Sequence, residues 1–285
     1  MPVESLFATL FPGECRICRE PLLNISRLPV CLACLQNMPA FHSAQCSICG
    51  ELLVASNFAG VPQGEQLCSL CQRFRPSYVR AAAYGPYEGV LRDLIHLLKY
   101  QRVRSAAKAL GVKLAEVLRS IVPEASAEAH GDVIVVTVPL FKAKQNDRGF
   151  NQAQSVAAYA VRAVKSQIDP TLNLVFEPEV LRRKRATASQ TGLTRHQRRE
   201  NVRGSFAVNP TLRRFITGRN LILVDDVFTT GTTAEECSRV LLRAGAANVW
   251  VATIARVSKL EVISILHQIQ EGEELAAAVG TAARA

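Results

Sequence analysis

Eight of the nine cysteines fall in four Cys-x-x-Cys pairs within the first 71 residues: Cys15/Cys18, Cys31/Cys34, Cys46/Cys49 and Cys68/Cys71. Two residues between thiols let a tight turn aim both sulfurs at one ion, and two such turns complete the tetrahedral shell that zinc prefers. Two zinc ions would use all eight thiols. The simplest assignment is sequential, with Cys15, Cys18, Cys31 and Cys34 on one ion and Cys46, Cys49, Cys68 and Cys71 on the other. The spacing leaves interleaved pairing open. Four thiolates close the coordination shell, so both centres are expected to be structural, standing in for a core that so short a segment cannot bury. A disulfide framework would need an oxidising compartment. The opening MPVESLFATLFPGEC lacks the basic stretch, apolar run and small-residue cleavage site of a secretory signal, so a cytoplasmic location is expected. Thioredoxin-like redox chemistry would want a single pair in a βαβ setting. Cys237 stands apart in a helical pattern and reads as a small core hydrophobe.

The formal charge of +10 is unevenly placed. Residues 1–75 carry five basic and five acidic side chains, whereas Leu181–Arg219 carries eleven Lys/Arg against Glu200 alone. Such a cluster attracts phosphates, on a small ligand or on a nucleic-acid backbone. The longest apolar stretch, Val133–Phe141, contains Pro139 and falls far short of the ~20 residues a membrane-spanning helix needs. No membrane insertion is expected.

From Tyr78 the pattern alternates between strand and helix. The chain is therefore divided into a cysteine-rich module (1–75), an α/β domain (76–258) and an Ala/Glu-rich tail (259–285). Strands are expected at Val79–Tyr84, Val133–Val138, Leu174–Phe176, Ser205–Val208, Leu221–Val224 and Asn248–Ile254. Helices are expected at Leu91–Tyr100, Ser105–Ile121, Asn151–Val164 and Thr233–Ala244, with Pro123–Gly131 a linker. The fully apolar runs suit strands buried on both faces. The fold class is α/β, a mostly parallel twisted sheet flanked by helices, with ligands at the carboxyl ends of the strands.

The most informative stretch is Leu221–Thr233, LILVDDVFTTGTT: an apolar strand, two acids, then a Thr/Gly-rich loop opening a helix. Amides around Gly231, backed by the helix N-terminus, suit a monophosphate, and Thr229, Thr230, Thr232 and Thr233 add hydroxyl donors. Asp225 and Asp226 suit a vicinal diol. Glu235 and Glu236 stand three residues after Thr232 and Thr233, the spacing of a capping box. A second loop after a buried strand, VPLFKAKQNDRGFNQ from Val138, carries Lys142, Lys144 and Arg148, which suit a pyrophosphate. No Gly-x-x-x-x-Gly-Lys-Ser/Thr occurs, which argues against a nucleoside-triphosphate P-loop.

The Asp-Asp/Thr-Thr-Gly stretch resembles the phosphoribosyl pyrophosphate motif of type I phosphoribosyltransferases. With the cysteine pairs, the PL…RGFNQ loop, the Q-x-x-L…R-x-x-N run from Gln190 to Asn201 and LRDLIHLLKY at Leu91–Tyr100, it resembles the ComF family over Cys15–Arg256. That resemblance implies a type I phosphoribosyltransferase fold behind a double zinc-ribbon-like module. It implies that Asp225 and Asp226 hold the ribose hydroxyls of phosphoribosyl pyrophosphate and that Thr229–Thr233 hold its 5-phosphate. Lys142 and Arg148 would face the pyrophosphate as catalytic cations, magnesium would accompany the ligand, and Lys99 would approach it. Gln190, Arg195, Arg199 and Asn201 would lie in a flap that closes over the ligand. The activity implied is a phosphoribosyl transfer (glycosyltransferase chemistry) to an unspecified acceptor. The rival implications are single-stranded-DNA binding in DNA uptake and natural transformation, with uptake-machinery proteins as partners, or ligand sensing on the same fold.

Overall fold

The computed structural model describes residues 13–22, 26–53, 66–127, 132–141, 149–167, 174–185 and 195–258. The strands are β1 (Ala81–Pro86), β2 (Val133–Thr137), β3 (Leu174–Phe176), β4 (Leu181–Arg183), β5 (Phe206–Val208), β6 (Asn220–Phe228) and β7 (Asn248–Arg256). The helices are α1 (Leu32–Gln36), α2 (Ser69–Arg73), α3 (Gly89–Tyr100), α4 (Ala106–Ala127), α5 (Gln152–Gln167), α6 (Arg195–Val202), α7 (Arg213–Ile216) and α8 (Thr232–Arg243). Five strands form one parallel sheet in the order β1-β7-β6-β2-β3, and β4 and β5 pair antiparallel.

The unbroken apolar runs exist because both faces of this sheet are covered. Val133, Val135, Ile222, Val224 and Trp250 pack under α3, α4 and α5, while Ile134, Val136, Leu221, Leu223 and Val251 pack against Ala234, Cys237 and Leu241 of α8. Thus α5, which follows β2, lies on one face, and α8, which follows β6, lies on the other. The chain thus leaves the neighbouring strands β2 and β6 for opposite faces, and the crevice at such a pair of strand ends is where sheets of this kind bind ligands. Cys237 is fully buried.

The two cysteine groups straddle the β1 edge. Cys15 and Cys34 belong to the α3/α4 side, and Cys46, Cys49, Cys68 and Cys71 to the α8 side. Ala81 N–H donates to the Ile48 carbonyl at 2.7 Å and Phe41 N–H to that of Tyr84 at 3.2 Å, so the module covers the edge strand, which would otherwise present unpaired backbone groups. Gly85 permits this approach: a Cβ there would overlap the Pro39 carbonyl oxygen.

Two expectations are corrected. The linker expected at Pro123–Gly131 is helical as far as Ala127, because α4 continues through Pro123. Val122 and Ala125 are fully buried there, Arg80 donates to the Ser120 carbonyl at 2.6 Å, and Asn220 donates to that of Ala125 at 2.9 Å, so tertiary contacts offset the hydrogen bond proline removes. The strand expected to stop at Val224 runs on through both acids to Phe228, because β7 keeps pairing with it up to Phe228↔Arg256. Pairing with β2 ends at Val224↔Thr137, so the acids lie beyond the end of β2. The basic segment around Arg182–Arg185 contains β4, which pairs with β5.

Candidate ligand site and metal centres

Each cysteine group is gathered within 4.8 Å, in the sequential assignment. Cys15 Sγ stands 3.9 Å from Cys34 Sγ, Cys18 Sγ 3.6 Å from Cys31 Sγ, and Cys49 Sγ 3.7 Å from Cys68 Sγ. Tetrahedral zinc with ~2.3 Å bonds places its sulfurs about 3.8 Å apart, and a disulfide needs about 2.05 Å, so the geometry fits the metal and not the bridge. The donor chemistry agrees. Sharing a proton with Cys49 pulls Cys46 strongly down, whereas Cys49 is pushed up to about 12 and Cys71 further, both chiefly by Cys46. Four thiolates at this spacing need a cation. Purified protein is expected to hold two zinc ions per chain by metal analysis, falling to one in Cys18→Ser; a full two in that variant would contradict the grouping.

At the strand ends, Lys99, in the last turn of α3, pairs with Asp226 at 2.8 Å, with both side chains largely buried. Burial alone would lower Lys99, but Asp226, supported by Asp225, outweighs it and the ammonium pKa is raised. Asp226 N–H donates to Asp225 Oδ1 at 2.9 Å. Burial, then the neighbouring Asp226 charge, raises Asp225 from an ordinary 3.8 to about 7.

That shift has a thermodynamic consequence. Between pH 3.8 and about 7 the unfolded chain has released this proton while the folded one still holds it, so stability falls as pH rises through the window. The loss is on the order of 2–4 kcal/mol, and Asp225→Asn is expected to stabilise the ligand-free protein at pH 8 with a gain that vanishes near pH 4. Thermal melts of both proteins across this range check it; a pH-independent difference would contradict it.

Gly231 starts α8 with φ +75°, and a Cβ there would lie 2.7 Å from Phe228 Cζ. Thr230 and Thr232 hydroxyls stand 3.1 Å apart beside it. The expected capping box does not form. Glu235 instead accepts from the N–H and hydroxyl of Ser77, both at 2.7 Å, and Glu236 accepts from Gly204 N–H at 2.8 Å and pairs with Arg239. The two carboxylates therefore tie α8 to the segment just after the cysteine module and to the turn between α6 and β5.

The structure brings together Asp225, Asp226, Lys99, Thr229, Thr230, Gly231, Thr232 and Thr233. Lys142, Lys144, Arg148 and Gln190 lie outside the described residues, as does the Arg195 side chain. Arg199 is exposed and Asn201 half-buried on α6. The α6 side chain that meets the loop is Arg198, which donates to Thr229 Oγ1 at 3.0 Å. A sequence signal existed: Val202, buried to 1%, marks the inward face, and Arg198 stands one turn before it. Arg183 and Arg104 were also missed. Arg183 lies over the Phe206 ring at 5.2 Å and its field reaches Asp225, while Arg104 donates to the Gly149 carbonyl at 3.1 Å and stacks on Phe150, fixing the end of the β2–α5 loop.

The fold is a mostly parallel sheet flanked by helices on both faces, and it carries two four-cysteine groups arranged as metal centres. No protein-family profile matches the chain. It is 31% identical over 246 residues to the DNA utilization protein YhgH of Escherichia coli O157:H7, covering 86% of this chain and 97% of that protein. It is 28% identical to competence protein F of Haemophilus influenzae over 79% of this chain and 96% of that one, and 23% identical to competence protein ComFC of Bacillus subtilis over 80% and 84%. The chain belongs to this DNA-utilization and competence (ComF) family. Among solved structures, the allosteric regulatory enzyme of purine biosynthesis aligns with TM-score 0.30 and 25% identity over 53% of this chain and 26% of that one. Hypoxanthine-guanine phosphoribosyltransferase from Schistosoma mansoni aligns with TM-score 0.29 and 13% identity over 54% and 57%.

Proposed function

We propose that the chain binds magnesium-complexed phosphoribosyl pyrophosphate in the crevice between β2 and β6. The observation that carries this reading is the placing of two acids on the open end of β6, beyond the last β2 pair, directly before a Gly231 turn that opens a helix. Carboxylates there accept from the ribose 2′- and 3′-hydroxyls, while the amides and hydroxyls of Thr229–Thr233 receive the 5-phosphate. Lys99 neutralises Asp226 in the free protein; a ligand that engages the acid releases the ammonium toward the pyrophosphate. Lys142 and Arg148 complete the pyrophosphate end. Gln190, Arg195, Arg199 and Asn201 belong to the covering segment, to which Arg198 is added.

On this reading a nucleophile displaces pyrophosphate from C1, and fixed cations, with magnesium, stabilise the leaving group. Eight thiolate ligands suit the reducing cytoplasm. Relatives named for DNA utilization and competence support a role in DNA uptake and natural transformation, with nucleotide-related metabolism as the other setting and uptake-machinery proteins as the partners this reading expects. Calorimetric titration is expected to show sugar-pyrophosphate binding that needs magnesium; heat unchanged by chelation would contradict the magnesium role.

A second reading, single-stranded-DNA binding, is favoured by one observation: Arg182, Lys184, Arg185, Arg199 and Arg203 are all exposed around β4 and α6. On this reading a neutral replacement of Arg185 and Arg203 weakens oligonucleotide binding and flattens its salt dependence. A ligand-sensing regulator on the same fold would bind the sugar pyrophosphate without turnover.

Among the described residues no helix is long and apolar enough to cross a membrane.

A further inference from the structure

The two cysteine groups touch the α/β domain at different places. The second meets Arg256 at the end of β7, whereas the first meets the turn of residues 101–105 between α3 and α4. Cys15, Val30 and Cys34 share one core with Leu91, Leu94 and Leu98 of α3. Two polar ties then run from the loops of this group to the turn. Arg16, which stands between Cys15 and Cys18, donates from Nη1 to Gln101 Oε1 at 2.6 Å, and the Arg27 carbonyl accepts from the Ser105 hydroxyl at 2.7 Å. The ties therefore hold the first and the last residue of the turn.

This turn needs holding. Arg102 has φ +55°, a left-handed conformation that a residue with a Cβ keeps only where its surroundings impose it. It also carries two cations of the crevice. Two residues before it, Lys99 pairs with Asp226 of β6 at 2.8 Å. Within it, Arg104 donates to the Gly149 carbonyl at 3.1 Å and lies 4.9 Å over the Phe150 ring, where the chain enters α5. The foot of the β2–α5 connection is closed separately, by Val138 N–H on the Val224 carbonyl at 2.9 Å and Asn151 Nδ2 on the Val138 carbonyl at 3.4 Å. The turn thus spans the crevice, with one cation on the β6 side and the other on the β2–α5 side.

We propose that Gln101 and Ser105 are positioning residues, through which the first cysteine group fixes Lys99 and Arg104 on the two sides of the crevice. The proposal rests on the sugar-pyrophosphate reading and gives the first group a role beyond folding. Neither residue touches the ligand. They act on Lys99, which that reading turns toward the pyrophosphate, and on Arg104, which holds the end of the connection bearing Lys142 and Arg148. The two acids and the Thr229–Thr233 loop belong to β6 and the start of α8, so the ribose 5-phosphate end is expected to be indifferent to the two ties.

The test is calorimetric titration of the zinc-loaded full chain with magnesium and phosphoribosyl pyrophosphate and, separately, with ribose 5-phosphate. Wild type, Gln101→Ala, Ser105→Ala, the double variant and Ser105→Thr are compared. None of these changes alters the net charge, and Gln101 is exposed and Ser105 half-buried, so the core is spared. The double variant is expected to keep two zinc ions and full affinity for ribose 5-phosphate while binding the sugar pyrophosphate about tenfold more weakly. Amide exchange at Val103 and Arg104 rises with it. Ser105→Thr keeps the hydroxyl and binds as wild type, and Cys18→Ser, which gives up the first ion, shows the selective loss. Equal weakening toward both ligands would mark a merely structural role, and unchanged affinity for the sugar pyrophosphate would uncouple the turn from the site; either result overturns the proposal. A wild type that binds no sugar pyrophosphate overturns the parent reading and the proposal together, an outcome distinct from a wild type and a double variant that bind it equally.

Discussion

Replacing Arg256 by Met is expected to destabilise the protein by about 3–5 kcal/mol, the loss that follows when one partner of a buried ion pair is removed. Arg256 is 4% exposed and Glu51 6% exposed, so the carboxylate left behind stays largely desolvated without its partner. The guanidinium also stacks on Phe228 at 4.6 Å, and the next residue, Val257, donates its N–H to the Phe228 carbonyl at 2.9 Å. One side chain thus joins the Cys49 backbone, the second cysteine group and the residue that precedes the Thr229–Thr233 loop. Urea denaturation is expected to show a lower midpoint for Arg256→Met and a partial recovery in Arg256→Met/Glu51→Gln, which removes the stranded charge. An unfolding free energy within about 0.5 kcal/mol of wild type would show the pair to be dispensable.

Gly231→Ala is the second large effect. Its positive φ costs a non-glycine residue about 1–2 kcal/mol, and the added Cβ meets the Phe228 ring at 2.7 Å. That ring cannot yield freely, since Tyr78 lies against its edge and Arg256 over its face. The expected loss is about 2–4 kcal/mol, together with at least tenfold weaker phosphate binding because the loop amides turn away. Thermal melting and titration with ribose 5-phosphate check the two parts; full affinity in the variant would remove the loop from the site.

What the sequence revealed and what it hid divide along sequence distance. The cysteine pairs and the strand–acid–loop stretch are local patterns, each made by neighbours a few residues apart, and their chemistry could be read directly. The parallel sheet followed from apolar runs that need two covered faces. The capping-box reading of Glu235 failed because its partner, Ser77, lies 158 residues away. Arg256, ending an apolar strand, gave no sign that it would reach Glu51 across 205 residues. Pro123 misled for the same reason: the contacts that carry α4 through it come from Arg80 and Asn220. Arg199 comes from the R-x-x-N run shared with the ComF family, whereas the contact of Arg198 with Thr229 depends on how buried Val202 orients the helix, which the run does not encode. The family resemblance implies that Lys99 approaches the ligand, but its pairing with Asp226 depends on packing that no local pattern encodes.

The central claim, that Asp225 and Asp226 hold a phosphoribosyl group beside the Thr229–Thr233 loop, is tested most directly by titrating magnesium and phosphoribosyl pyrophosphate into wild type and Asp225→Asn/Asp226→Asn, both zinc-loaded and both checked for folding by their melts. Binding by wild type and its loss by at least a hundredfold in the folded variant is the predicted result. Equal binding by both proteins, or none by zinc-loaded wild type, would contradict it.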